Sequence, residues 1–470
     1  LPVAAARTVL VDVGASLSDV GHVAVSRDPK SHLFDKALFA FRSRPSFQAL
    51  RARLRNSAQV GDLRAFLGDI DSATFRGRVH NVEHHRAHLA SAFFCSPFEE
   101  AACLTVDGFG DFLSSRSALG RGNRLEPLDE VMFPHSLGIL YTAVTQFLGF
   151  PKYGDEYKVM GLAAYGRPRM MPAMRAIVGL RDRGQFETNI EYFRHATDGV
   201  TMSWNGGEPT IGPLWSPRLE EALGPPREPG ADLTERDWDI AASLQAIYEE
   251  AFFHRLAWLQ ARTGLKSLCL AGGCAMNSVA NGKIFAQTGF REVFIQSAAG
   301  DAGTALGAAL SVWHEVLGKP RGFVMEHSYF GPEYPEERVV ASLRAKVSGF
   351  EGSPGPSHFA DLVVRRVNEL DTLVRTTAEA IASGSVVGWF QGRMEWGPRA
   401  LGNRSILADP RRSDMKEVLN TRIKRRETFR PFAPSILEER CAEYFEQSYP
   451  VPFMSQVFVV RENKRQEIPA

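Results

Sequence analysis

Apolar and polar positions along the chain fall into alternating blocks. Residues 81–94, NVEHHRAHLASAFF, read as a helix, and residues 137–148 and 236–262 give two more. Between them, AACLTVD at 101–107 is a short continuous apolar run ending on Asp107, the pattern of a buried strand. SLCLAGG at 267–273 is a second such run feeding a glycine turn, and FIQSAAGD at 294–301 repeats the plan. Strands alternating with helices predict an α/β fold with polar residues at the sheet's carboxyl edge. Residues 7–25, RTVLVDVGASLSDVGHVAV, hold two β-rich stretches around a Gly/Ser/Asp turn and predict a hairpin. Residues 30–79 are rich in Phe, Arg and Leu and predict surface-facing helices without evident chemistry. Pro and Gly clusters in SYFGPEYPEE and GFEGSPGPSH, around 328–358, mark a boundary and linker. Beyond them a helix over 361–383 leads into the strand SVVGWF and a long basic segment. Two domains are expected, 1–328 and 329–470.

Composition narrows the class. The chain has 470 residues, 44% hydrophobic and 23% charged, which excludes a mainly disordered protein. Its net charge is +1, which argues against a globally basic nucleic-acid coat. No apolar run is long enough for a membrane span. The five cysteines are irregularly spaced and form no C-x-x-C pair, so free thiols in a reducing, cytoplasmic setting are expected. The opening LPVAAARTVLVDVG makes a poor signal peptide. It lacks an initiator Met, so further residues upstream are expected.

Four of the twelve histidines lie within nine residues: His80, His84, His85 and His88. His84 and His88 are four apart, so on a helix their rings share a face and suit one metal ion. A surface helix that is merely His-rich would show the same spacing. Asp107 and Asp301, both at strand ends and followed at once or within two residues by glycine, are the candidate carboxylate ligands. Two imidazoles with carboxylates favour Fe²⁺, with Zn²⁺ or Mn²⁺ as alternatives. His85 stands where a H-E-x-x-H protease would carry its Glu, which argues against that chemistry.

Glycine loops follow two of the strands, AGGCAMN at 271–277 and AGDAGTALG at 299–307. Glycine lets backbone N–H groups approach a phosphate at a helix start. Gly272, Gly273, Asn277, Gly300 and Gly303 are therefore candidate nucleotide-binding residues. Asp12, in DVGAS, joins them because that turn resembles the first phosphate loop of actin-like ATPases. Residues 391–430 carry 11 Lys/Arg against 5 acids, a local +6 that the total charge conceals. Trp, Gly and Pro interleave with these cations, which suggests a shaped pocket for small phosphorylated ligands rather than RNA.

Taken together, several motifs resemble one family. HHRAH, TVDGFGD, PHSLGILYTAVTQFLGF, DEYKVMGLAAYG, LAGGCAMN and GDAGTALGAAL are among them, with GWFQGRMEWGPRALGNRSILADPR and KRRETFRPFAPSILEE in the basic segment. They are similar to O-carbamoyltransferases of antibiotic and nodulation-factor biosynthesis, of the tobramycin, cephamycin and geldanamycin type. The resemblance implies an actin-like (ASKHA) first domain holding iron through His84, His88, Asp107 and Asp301. It implies a YrdC-like second domain that makes carbamoyladenylate from carbamoyl phosphate and Mg²⁺-bound ATP. The carbamoyl group would then pass to a hydroxyl of a small-molecule acceptor. Arg399, Arg404, Lys424, Arg426 and Arg430 become candidates for the phosphates, with Lys424 also a candidate catalytic group. His85 and Asp107 are the candidate catalytic residues of the first domain. His85 would serve either as the base for the acceptor hydroxyl or as a hydrogen-bonding support for the ligands.

Two departures accompany the resemblance. The family's His-Asp-Ser-Ala motif is replaced by Leu17-Ser18-Asp19-Val20-Gly21, and its E-E-E-R-F segment is missing. Its T-A-R and N-T-S-F-N motifs are expected beyond Ala470, so the second domain is expected to be incomplete here. The alternatives are a tRNA threonylcarbamoyl transferase-like enzyme and a non-catalytic actin-like nucleotide-binding module. A homo-oligomer is left open. The acceptor pocket is expected to draw on residues 30–79 and 180–235.

Overall fold

The structure is a computed structural model that describes residues 2–43, 63–71, 74–200, 202–203, 209–347 and 363–470. Parts of the 30–79 and 180–235 segments, and the Gly/Pro linker over 349–358, lie outside the described residues. The chain divides into two compact units. One comprises Leu1–Glu326 with Phe453–Phe458, the other His327–Pro452 with Val459–Ala470.

The first unit is mixed α/β. It opens with helix α1 (Val3–Asp12), strand β1 (His22–Val25), helices α2 (Leu33–Ser43) and α3 (Leu63–Ile70), and strand β2 (Arg78–Asn81). The hairpin expected over 7–25 does not form. Residues 3–12 are helical because Val3, Ala6 and Leu10 share one face, which packs on Leu17, Leu67 and Ile70. Val9, Val11 and Val13, whose alternation suggested a strand, are left exposed. β1 instead pairs in parallel with β2, His22 opposite Arg78 and Val25 opposite Asn81. Asp12 is the last residue of α1, so the phosphate-loop reading of DVGAS fails with the hairpin.

Helix α4 (His84–Phe93) follows, then β3 (Glu100–Gly110), β4 (Leu113–Arg121), β5 (Arg124–Met132), α5 (Leu137–Phe147) and α6 (Glu156–Leu162). The long helix α7 (Glu235–Thr263) leads to β6 (Ser267–Ala271), β7 (Glu292–Ile295) and α8 (Asp301–Ser311). The main sheet runs β7-β6-β3-β4-β5. β7, β6 and β3 are parallel, with Cys269 opposite both Phe294 and Cys103. β3, β4 and β5 are antiparallel, as their tight connections require. The strands expected at 101–107, 267–273 and 294–301 thus lie side by side and bring their carboxyl ends together.

α4 is buried almost all round, including His85 and His88. Its Ala87 packs with Val82, Ala308 and Val312 against α8. All five cysteines are free thiols, four of them buried. No helix among the described residues is long and apolar enough to cross a membrane.

In the second unit, helices α9 (Glu336–Lys346) and α10 (Leu370–Ala382) precede an antiparallel pair, β8 (Val387–Phe390) and β9 (Arg404–Leu407). The helix expected over 361–383 starts nine residues later, because residues 363–369 are not helical. No residue of α10 is buried; Leu370 is 68% exposed and Val374 50%.

Candidate metal centre

The four ligand candidates arrive on three rigid elements. α4 supplies His84 and His88, one turn apart on the same face. β3 supplies Asp107, and Asp301 is the first residue of α8. One donor atom from each of the four lies within 4.8 Å of the other three. The Nε2 atoms of His84 and His88 stand 3.1 Å apart. Asp107 Oδ2 lies 3.1 Å from the first and 3.2 Å from the second, and Asp301 Oδ1 is 3.6 Å from both. Ligands about 2.1 Å from one cation are spaced by roughly 3–4 Å, so this donor set fits a single divalent ion.

The shape of the centre is fixed by close backbone contacts. Asp107 turns its second oxygen, Oδ1, to the Gly273 N–H at 3.0 Å. Gly272 holds φ +93°, and a Cβ there would meet the Val106 carbonyl oxygen at 2.3 Å. Ser136 Oγ, capping α5, donates to the Asp107 and Gly108 carbonyls. His84 lies on Gly110, where a Cβ would come within 2.0 Å of the ring. Burial opposes protonation of His88, yet hydrogen bonds and charge from Asp107 and Asp301 outweigh it and raise the imidazole to about 9. Burial likewise opposes ionisation of Asp107, and the two histidines hold it well below the usual carboxylate range. The site therefore stabilises separated charge in a buried place, a property of functional centres.

His85 is fully buried and points the other way. Its Nδ1 is 2.7 Å from Thr105 Oγ1 and its Nε2 is 3.0 Å from the Leu113 carbonyl oxygen. Both ring nitrogens are taken, and burial pushes the imidazole well below its ordinary pKa. That corrects the reading of His85 as a base for an incoming hydroxyl and leaves the supporting one.

The glycine-loop residues have structural work to do. Asn277 is buried, caps the helical turn Ser278–Asn281 through the Ala280 N–H, and exchanges two hydrogen bonds with Gln245. These bonds give its amide a structural role within the first unit. Gly303 faces the Ala298 carbonyl at a distance no Cβ could occupy, and Gly300 precedes α8. Gly273 holds Asp107 and Gly272 packs on the Val106 carbonyl, as described.

In the second unit the basic residues separate into two groups. Arg404 donates to Glu395 Oε2 at 2.7 Å and to the Glu395 carbonyl. Arg426 donates to Asn420 Oδ1 and stacks on Phe432, and Arg430 pairs with Glu427 at 2.7 Å. These three hold the segment together. Arg399 is half-buried, its guanidinium lowered by burial, with no counter-charge among the described residues. Lys424 is exposed.

Sequence reasoning missed two carboxylates. Glu395 accepts hydrogen bonds from the Leu401, Asn403 and Arg404 N–H groups and so shapes the loop carrying Arg399. An acid in a cationic stretch was the available signal. Glu156, at the start of α6, accepts from Thr142 Oγ1 at 2.5 Å, and burial raises its carboxyl. It lies inside the DEYKVMGLAAYG motif, which had been given no role.

Comparison with known proteins agrees with these motifs. Residues 59–310 match the family described as Carbamoyltransferase N-terminus, and residues 378–470 match Carbamoyltransferase C-terminus. An uncharacterized Synechocystis protein is 40% identical over 97% of this chain and 72% of its own length. Nodulation protein NolNO of Sinorhizobium fredii is 39% identical over 83% of this chain and 52% of its own. Nodulation protein NolO of Bradyrhizobium diazoefficiens is 38% identical over 82% and 64%. The chain thus spans between half and two thirds of these nodulation proteins. With both halves of the family pattern matched in order, the chain belongs to the carbamoyltransferase family.

Proposed function

We propose that the protein is an ATP-dependent O-carbamoyltransferase. Carbamoyl phosphate and ATP give carbamoyladenylate, with release of inorganic phosphate and pyrophosphate, in the second domain, YrdC-like in this reading. The carbamoyl group then passes to a hydroxyl of a small-molecule acceptor at the first domain, actin-like in this reading, as AMP leaves and the hydroxyl gives up its proton. The observation that carries the reading is the convergence of His84, His88, Asp107 and Asp301 at the carboxyl edge of the sheet, in a chain of this family.

His84, His88, Asp107 and Asp301 would hold Fe²⁺, or Zn²⁺ or Mn²⁺, which when bound supplies Lewis acidity toward a carbonyl oxygen. The remaining work falls to the protein. Gly273 and Ser136 fix Asp107 from two sides, so the ligands need not reorganise. His85 braces α4 against β3 and β4. In the second unit, Arg399 is the cation best placed to meet a phosphate, because nothing described neutralises it. Lys424 is exposed and supplies a second point charge.

The test incubates the protein with carbamoyl phosphate, Mg²⁺-ATP, Fe²⁺ and a panel of hydroxyl acceptors, following product mass and AMP. A carbamoylated acceptor with stoichiometric AMP supports the proposal. If neither acceptor nor water draws AMP from this mixture, the proposal is wrong.

A further inference from the structure

α4 is held at its N-terminus by a carboxylate of unusual choice. The residue preceding the helix is Glu83, whose side chain accepts from the His85 N–H at 2.9 Å and the Arg86 N–H at 2.8 Å. Ser, Thr, Asp and Asn are the favoured capping residues, since their short side chains reach the helix N–H groups with little ordering. Glutamate is one methylene longer. The structure uses that extra length: Glu83 Oε2 also pairs with Arg116 Nη1. Arg116 lies on β4, two strand positions from Ser114, and its Nε donates to Glu130 Oε1 on β5 at 2.8 Å. Both partners are buried, Glu83 with 10% of its side chain exposed and Arg116 with 9%.

The backbone of Arg116 is tied to the same point. Its N–H donates to Thr105 Oγ1 at 3.1 Å, and Thr105 Oγ1 meets His85 Nδ1. Thr105 sits two residues before Asp107 on β3. A closed ring of contacts therefore joins the strand bearing one ligand to the helix bearing two others, through Glu83, Arg116, Thr105 and His85. A capped helix alone fixes only its own end. This ring ties the helix to the strand beside the point where His84 and His88 stand 3.1 and 3.2 Å from Asp107.

We infer that Glu83 and Arg116 are positioning residues for the metal centre: their buried ion pair holds α4 in register with β3 so that His84, His88 and Asp107 meet at one point. The inference rests on the reading of those residues as metal ligands. Neither Glu83 nor Arg116 touches the ligating atoms, and both act through the helix.

The experiment compares the wild-type chain with Glu83→Asp, Glu83→Gln and Arg116→Lys, each titrated with Co²⁺. It reads affinity and the visible ligand-field spectrum at saturation, with thermal unfolding in parallel. Asp preserves a good helix cap but falls short of Arg116. Gln preserves length and cap but removes the charge. Outer contacts of this kind change metal affinity by about 10–100-fold. Glu83→Asp and Arg116→Lys are expected to weaken Co²⁺ binding by a factor in that range and to alter the spectrum, while still unfolding cooperatively. Glu83→Gln, keeping the reach, is expected to fall between them and wild type. If Glu83→Asp binds Co²⁺ with wild-type affinity and spectrum, Glu83 is only a helix cap and the inference is overturned. Should Glu83→Asp fail to fold, Arg116→Lys carries the same decision. A wild-type chain that binds no Co²⁺ overturns the metal reading itself, an outcome distinct from equal binding by wild type and variant.

Discussion

Gly307 of α8 lies directly against the Ala87 carbonyl of α4: a Cβ on Gly307 would sit 1.8 Å from that oxygen. The two helices carry three of the four ligand candidates, Asp301 on α8 with His84 and His88 on α4. Their close approach is thus what brings Asp301 to 3.6 Å from both imidazoles. Gly307→Ala should push the helices apart, at a cost of about 1–3 kcal/mol in stability. Metal binding should weaken as well. Chemical denaturation and metal titration check this, and an alanine variant equal to wild type in both would count against the packing argument.

Removing a ligand should separate the two chemistries. His84→Ala takes away one of the four candidate donors and is expected to leave the fold intact while abolishing bound metal and carbamoyl transfer. Carbamoyladenylate formation, assigned to the other domain, should persist. Metal analysis of the purified variant, with separate assays of ATP turnover and acceptor product, provides the check. Equal loss of both activities would contradict two separate sites.

Arg399 and Arg404 should respond differently to the same change. Arg399→Ala removes a cation without a described counter-charge and should raise the KM for carbamoyl phosphate or ATP by about 10–100-fold, the value of a charged hydrogen bond. Its unfolding should stay unchanged. Arg404→Ala leaves Glu395 buried without its cation and should instead destabilise the second unit by about 1.5–3 kcal/mol. Reversal of this pattern would exchange their roles.

Glu395 should make the second unit acid-sensitive. Burial disfavours its charge, but Arg404 and the backbone N–H groups of Leu401 and Asn403 outweigh this and lower its pKa from 4.5 to about 2. A carboxyl with a depressed folded-state pKa stabilises the fold fully above its unfolded value. That contribution is lost as the pH falls from 4.5 toward 2. Glu395→Gln should be less stable than wild type at neutral pH, with the difference shrinking across that window. A gap that stays constant with pH would rule the mechanism out.

By itself the sequence determined a buried strand carrying Asp107, another leading toward Asp301, and the helix with two histidines four apart, though β3 runs on past Asp107 to Gly110. Hydrophobic runs and helical spacing are local, so they can be read from neighbouring residues. The same local reading failed at residues 7–25. Alternating valines there suggested strands, but the face formed by Val3, Ala6 and Leu10 found Leu67 and Ile70, over fifty residues away. Only the tertiary structure decided which polar residues were available for chemistry. His85 is next to one candidate histidine ligand and three residues from the other yet turned into the protein, and Arg404 and Arg430 neutralise nearby acids while Arg399 does not. Side-chain type states what a residue can do; burial and the partners already engaged decide whether it is free to do it.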